Sequence, residues 1–147
     1  MNIVVSFAMA FCFLLLAINK IINIRRGTQT LYEAVKFINL VKNNIRFSMM
    51  DYNNIVESGK KEGFSYVNFN EQITLSEYVD EKIQDEFLAF TKKIGTTDEA
   101  GQLSLCDEYI ERFKEFYKES ATKEKSRVNV IGAIGILSVV CILILGG

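Results

Sequence analysis

Few side chains in this chain could act on a substrate. There is no His, so the commonest general base and the commonest metal ligand are both missing. The three Cys are scattered: Cys12 and Cys141 fall in apolar stretches, and Cys106 stands alone in the middle. They cannot form a four-thiolate zinc site, and they suggest no disulfide framework. With no His to activate it, Cys106 reads as a small buried apolar residue rather than a nucleophile. Asp85 with Glu86, and Asp107 with Glu108, are neighbours in sequence and so point to different sides of a helix. Adjacent rather than four apart, these carboxylate pairs do not indicate general acid and base work. With 17 Lys plus Arg against 18 Asp plus Glu, the chain also lacks the basic excess of a nucleic-acid binder. We expect no enzyme, no metal, no cofactor and no nucleic acid. A membrane-bound enzyme, the rival reading, would need a nucleophile, base or metal site that the sequence does not display.

The distribution of charge says more than its total. Lys20 is the first charged residue and Arg127 the last, which leaves 19 residues before and 20 after with no charge at all. A helix crossing roughly 30 Å of hydrocarbon needs about 20 apolar residues at ~1.5 Å each. Residues 1–19 and 128–147 are therefore expected to be transmembrane helices flanking a domain over 20–127. A cleaved signal peptide would want Lys or Arg near the start and small residues after the apolar core; Met1-Asn2 carries no charge and Cys12 follows bulky Phe11, which predicts a retained anchor. A buried core helix is the competing reading of the C-terminal run, and its complete lack of charge argues against it. Lys20, Arg25 and Arg26 precede any acid, and Lys123, Lys125 and Arg127 outnumber Glu124 on the other side. Positive-inside logic then places the middle domain in the cytoplasm and both termini outside. The same six residues are candidates for holding anionic lipid headgroups.

Apolar residues in the middle recur at helical spacing. Leu31, Ala34, Val35, Ile38, Val41, Ile45 and Met49 predict one helix from Thr28 to Met50. Asp51 is placed to cap a short helix containing Tyr52, Ile55 and Val56, which Gly59 and Gly63 would end. Phe64 to Asn70 alternates like a strand but has no evident partner, so it reads as loop or short helix. Leu75, Val79, Ile83, Phe87, Phe90 and Ile94 form a second stripe, opening after Thr74 and stopping at Gly95. Thr96 and Glu99 have capping-box spacing. The helix that follows carries Leu103, Cys106, Ile110, Phe113 and Tyr117, and nothing breaks it before the second span. The expected fold is all-α, an antiparallel helical bundle between an N-terminal and a C-terminal transmembrane helix. Phe37, Phe47, Phe87, Phe90, Phe113 and Phe116 fall on its apolar stripes, as core residues would.

Two constellations remain. Gly95, Asp98 and Gln102 cluster where two helices meet, and serve either to stop, cap and brace those helices or to contact a partner. Gly132, Gly135 and Ser138 recur every third residue along the second span. Such a small-residue face either pairs the two spans of one chain or joins two chains as a homo-oligomer.

The run Lys93-Ile94-Gly95-Thr96-Thr97-Asp98-Glu99-Ala100-Gly101-Gln102, followed by a charged helix and then Val130-Ile131-Gly132-Ala133-Ile134-Gly135-Ile136-Leu137, resembles the stage III sporulation protein AB family. That family has a Leu-Gly-x-Ser-Asp element with a downstream Gln, then a long helix, a basic cluster and a Gly-containing terminal span. Gly95, Asp98 and Gln102 match it, with Ile94 and Thr97 as near substitutes. Arg25-Arg26 and Asn44-Ile45-Arg46-Phe47-Ser48 resemble its opening helix. Met50-Asp51-Tyr52 departs from the family's Pro-Leu, so the first turn is expected to be built differently. The resemblance covers essentially the whole chain. It implies a platform protein of the mother-cell membrane around the forespore, related to the inner-membrane platforms of type II secretion and type IV pili. Its implied partners are a secretion-type ATPase of the same operon and the other channel components. A pilus or secretion platform outside sporulation is the alternative, though such proteins usually duplicate the bundle and carry more spans.

Overall fold

The computed structural model describes residues 3–47 and 52–146. Its elements are α1 (Ile3–Phe47), α2 (Tyr52–Glu62), β1 (Val67–Phe69), β2 (Ile73–Leu75), α3 (Glu81–Lys93) and α4 (Glu99–Gly146). The fold is all-α, four helices with one small hairpin among the described residues. Packing divides the chain into two compact units, Met1–Arg26 with Ala121–Gly147, and Gly27–Ser120.

The first unit is an antiparallel pair made of the start of α1 and the end of α4. Ala10 is buried between them, and a Cβ built on Gly135 would stand 3.2 Å from the Ala17 Cβ. Arg25 Nε lies 3.8 Å from Glu124 Oε1 further along the pair. Almost everything else apolar faces outward: Val4 is 79% exposed, Leu16 66%, Ile136 66% and Ile144 73%. Both helices are long and apolar enough to cross a membrane, and their most apolar windows are only 6% and 0% buried. The core helix of a water-soluble protein would show the opposite, since exposed apolar surface of this extent is unfavourable in water.

In the second unit α1 and α4 again run antiparallel. Thr28 Oγ1 meets Ser120 Oγ at 3.0 Å, the rings of Tyr32 and Tyr117 lie 6.0 Å apart, and Lys42 pairs with Asp107. The predicted stripe forms the core, with Leu31, Ala34, Ile38, Val41 and Ile45 all buried from α1, and Cys106, Ile110 and Phe113 from α4. Phe37 is its hub, touching Phe64, Phe69 and Phe87 at centroid distances of 6.1, 5.7 and 5.7 Å. No helix begins at Thr28. That residue lies inside α1, because neither Pro nor an exposed Gly interrupts the run, and buried Gly27 is tolerated for a packing reason. A Cβ there would come within 2.7 Å of the Tyr78 carbonyl oxygen, so glycine lets the chain after the hairpin lie against α1. Met49, Met50, the Asp51 cap and the Phe47 side chain lie outside the described residues.

The expectation for Phe64 to Asn70 is corrected. Val67 to Phe69 is a strand, and its partner is Ile73 to Leu75, paired antiparallel as Val67 with Leu75 and Phe69 with Ile73. Leu75 therefore belongs to β2 rather than to a helix, Val79 to the following turn, and α3 starts only after Asp80. Three-residue strands cannot stand alone. This pair is held by its surroundings: buried Glu33 of α1 accepts the Tyr66 backbone N–H at 2.7 Å, Thr30 and Ser76 hydroxyls meet at 2.8 Å, and Gln84 Nε2 donates to the Ser76 carbonyl at 2.7 Å.

Glycine has two roles in α2. Gly63, at φ +70°, ends the helix as expected. Gly59 does not; it sits inside α2, buried against Phe69, whose ring atoms lie 2.4 Å from where a Cβ would be. Gly59→Ala should therefore overpack this contact and lower unfolding stability by about 1–3 kcal/mol, read as a reduced denaturant midpoint with an unchanged slope. The gain in helix propensity, about 1 kcal/mol, offsets only part of that.

Candidate functional site

The residues singled out at Lys93 to Gln102 come together in the turn between α3 and α4. Gly95, at φ +80°, reverses the chain in a conformation that glycine adopts without strain. The Thr96 N–H donates to the Lys93 carbonyl at 3.2 Å, and the Thr96 hydroxyl donates to the same oxygen at 2.8 Å. α4 begins at Glu99, which puts its N-cap at Asp98 and leaves Thr96 two residues before that position, so the expected capping box from Thr96 to Glu99 does not form. Asp98 caps α4 instead, its Oδ1 accepting the Gly101 N–H at 3.0 Å. A Cβ on Gly101 would approach Thr97 Oγ1 and Asp98 Oδ1 to 2.8 and 2.9 Å, so its absence leaves room for the cap.

Gln102 is 2% exposed and braces the turn from below. Its Nε2 donates to the Lys93 carbonyl at 3.2 Å and to Thr97 Oγ1 at 3.0 Å. The contact with a carbonyl fixes which end of the amide is which, because turning it over would set oxygen against oxygen. Its buried Oε1 has no hydrogen-bond partner among the described residues. Gly95, Asp98 and Gln102 thus form one hydrogen-bonded turn, with Asp98 exposed at its rim. Asp98→Ala should cost about 1 kcal/mol through loss of the cap, with Asp98→Asn restoring most of it; thermal melts of the two variants check this.

The small residues of the second span separate. Gly132, Gly135 and Ser138 all lie on the half-buried side of α4. Only Gly135 makes the close approach, to Ala17. A Cβ on Gly132 would meet nothing within 4 Å, and the Ser138 hydroxyl donates to the Ile134 carbonyl of its own helix at 2.8 Å.

Lys20, Arg25, Arg26, Lys123, Lys125 and Arg127 all belong to the first unit, on the two paired helices.

Of the four carboxylates in the two acidic pairs, Glu86, Asp107 and Glu108 form ion pairs with basic side chains. Glu86 Oε2 receives Arg112 Nη1 at 2.6 Å, Glu108 Oε1 receives Arg112 Nη2 at 2.8 Å, and Asp107 pairs with Lys42. The hydrogen bond that Arg112 donates to the Glu86 carboxylate holds the guanidinium above its ordinary pKa. Arg112 also lies 5.2 Å from the Tyr109 ring centroid, with Lys93 Nζ at 5.6 Å. Together with Glu81, Lys82, Asp85 and Ala89 these residues line an open groove of about 550 Å³ between α3 and α4. Sequence reasoning did not find this groove; the four-residue spacing of Glu108 and Arg112 was the available signal.

Cys106 is fully buried. Desolvation, and then the neighbouring Asp107 charge, push its thiol from 9.0 up to about 11, with Lys42 opposing. The thiol should accordingly ignore alkylating reagents at neutral pH until the chain is unfolded. The folded state holds this proton more tightly than the unfolded state. The stabilisation it contributes is therefore complete below pH 9.0 and is lost as pH rises to about 11. Thiol titration with and without denaturant, and denaturant melts across that window, check both statements.

No known protein family, curated protein or solved structure matches this chain.

Proposed function

We propose that this chain is a non-enzymatic membrane platform, a component of the channel joining mother cell to forespore in sporulation, which anchors a secretion-type ATPase and couples its motion to the membrane assembly. The observation that supports this best is an antiparallel pair of apolar helical segments, charge-free before Lys20 and after Arg127 and outward-facing along most of that length, flanking a middle that closes its own core. Such a chain presents a folded domain at a bilayer surface and holds it there at two points. The positive-inside asymmetry of Lys20, Arg25, Arg26, Lys123, Lys125 and Arg127 directs that domain to the cytoplasm, where an ATPase would meet it. The sporulation assignment rests on the resemblance carried by Gly95, Asp98, Gln102 and the Gly-containing second span.

Asp98, exposed at the rim of the turn, is the motif residue available to a partner, while Gln102 acts from beneath it. The test is to tag the chain in a sporulating cell, follow its position, and identify what co-purifies. Recovery of the secretion-type ATPase at the membrane around the forespore supports the proposal. Expression throughout vegetative growth, with no sporulation defect on deletion, overturns it. If Asp98→Ala abolishes ATPase recovery while Asp98→Asn retains the fold and also fails to recover it, the carboxylate contacts the partner directly. Recovery that follows melting temperature assigns Asp98 to capping alone.

A further inference from the structure

The first unit carries six basic residues and one acidic residue, Glu124, whereas the second carries eleven basic and seventeen acidic. The six are confined to a narrow band. Lys20 to Arg26 spans about 9 Å of α1, and Lys123 to Arg127 about 6 Å of α4, at ~1.5 Å per residue. The contact of Arg25 with Glu124 sets the two runs level with each other. Their angular positions differ, so the charges distribute around both helices rather than along one stripe. Lys20, Arg25, Lys123, Lys125 and Arg127 are exposed and Arg26 is half-buried. A bilayer's headgroup layer is roughly 5–8 Å deep on each side of the hydrocarbon. A basic band of that depth at the foot of two apolar helices matches the layer in which lipid phosphates lie.

We propose that this band binds the phosphates of net-anionic phospholipid headgroups, a selectivity that rests on the membrane reading given above. Guanidinium groups at Arg25, Arg26 and Arg127 pair with phosphate through two parallel N–H donors, and the three Lys ammoniums act as point charges. A zwitterionic lipid offers the same phosphate but sets its own ammonium beside it, which cancels much of the attraction. The ligand is therefore the anionic lipid rather than phosphate as such. Glu124, the single acid in the band, opposes this binding.

The experiment reconstitutes the full chain into vesicles of phosphatidylcholine with and without phosphatidylglycerol, and measures the relative association of spin-labelled forms of the two lipids with the protein. The expected result is enrichment of phosphatidylglycerol by roughly fivefold, the equivalent of one well-placed charge at the surface. Enrichment should fall towards one when all six basic residues are changed to Gln, and rise in Glu124→Gln, a variant that leaves the fold and the apolar helices alone. Inorganic phosphate added at constant ionic strength should not change the ratio. Insertion without headgroup preference, or a Glu124→Gln ratio at or below that of the parent, overturns the proposal while leaving the membrane reading intact. Loss of the preference to inorganic phosphate reassigns the band to soluble phosphate and also overturns it. A chain that fails to insert in either lipid overturns both.

Discussion

Phe37→Ala should remove a large share of the stability of the domain between the two apolar ends. Phe37 is 0% exposed, and its ring bridges α1 to β1 through Phe69, to α3 through Phe87, and to the segment before the hairpin through Phe64. Removing a buried Phe side chain costs about 3–5 kcal/mol in transfer and cavity terms. A domain of this size has about 5–15 kcal/mol in total. The hairpin would suffer most, because its three-residue strands depend on this ring and on the Glu33 contact for their position. Phe37→Leu, which keeps most of the volume, should cost less than half as much. Denaturant melts followed by far-UV circular dichroism measure both variants; equal losses would contradict this, showing that the ring contacts rather than apolar volume carry the effect.

The second large effect concerns the apolar pair. Cys substituted at both Ala17 and Gly135, in a chain with Cys12 and Cys141 changed to Ala, should form an intramolecular disulfide almost completely under mild oxidation. A Cβ on Gly135 would stand 3.2 Å from that of Ala17, close to the 3.5–4.5 Å that a disulfide requires. Gly132 paired with Ala17 serves as the control and should cross-link poorly, because no atom approaches its Cβ position. The product is a monomer with altered mobility on a non-reducing gel. Dimers in its place would mean that this face joins two chains. Cys106 can stay in this background, since burial and its raised pKa keep it silent.

Much of this fold is legible in the sequence. Uncharged ends, the Leu31 to Ile45 stripe and the unbroken run after Glu99 are long, periodic signals that tertiary context does not override. The hairpin was not legible because Leu75 and Val79 continue, at four-residue spacing, into Ile83 and Phe87 of the true helix, so a strand was absorbed into a helical pattern. Gly59 looked like a helix stop because the ring that requires it, Phe69, comes from that unrecognised strand. At the turn, the spacing of Thr96 and Glu99 is that of a capping box. Only the geometry shows that α4 starts at Glu99, which puts the cap at Asp98 and turns the Thr96 hydroxyl back to the Lys93 carbonyl. Gly132, Gly135 and Ser138 share a spacing, yet the place where two helices touch is a property of both helices, and one sequence stripe does not reveal it.

Whether the two apolar helices hold the intervening domain on the cytoplasmic face is best decided by labelling one exposed position in intact cells. Glu71 lies in the hairpin turn and is exposed. Glu71→Cys, with Cys12 and Cys141 changed to Ala, offers a single reactive thiol to a membrane-impermeant maleimide. Protection in intact cells, full labelling after lysis, and retention of the chain in the membrane pellet after alkaline washing are predicted. Labelling in intact cells, or recovery of the chain in the soluble fraction, would contradict it.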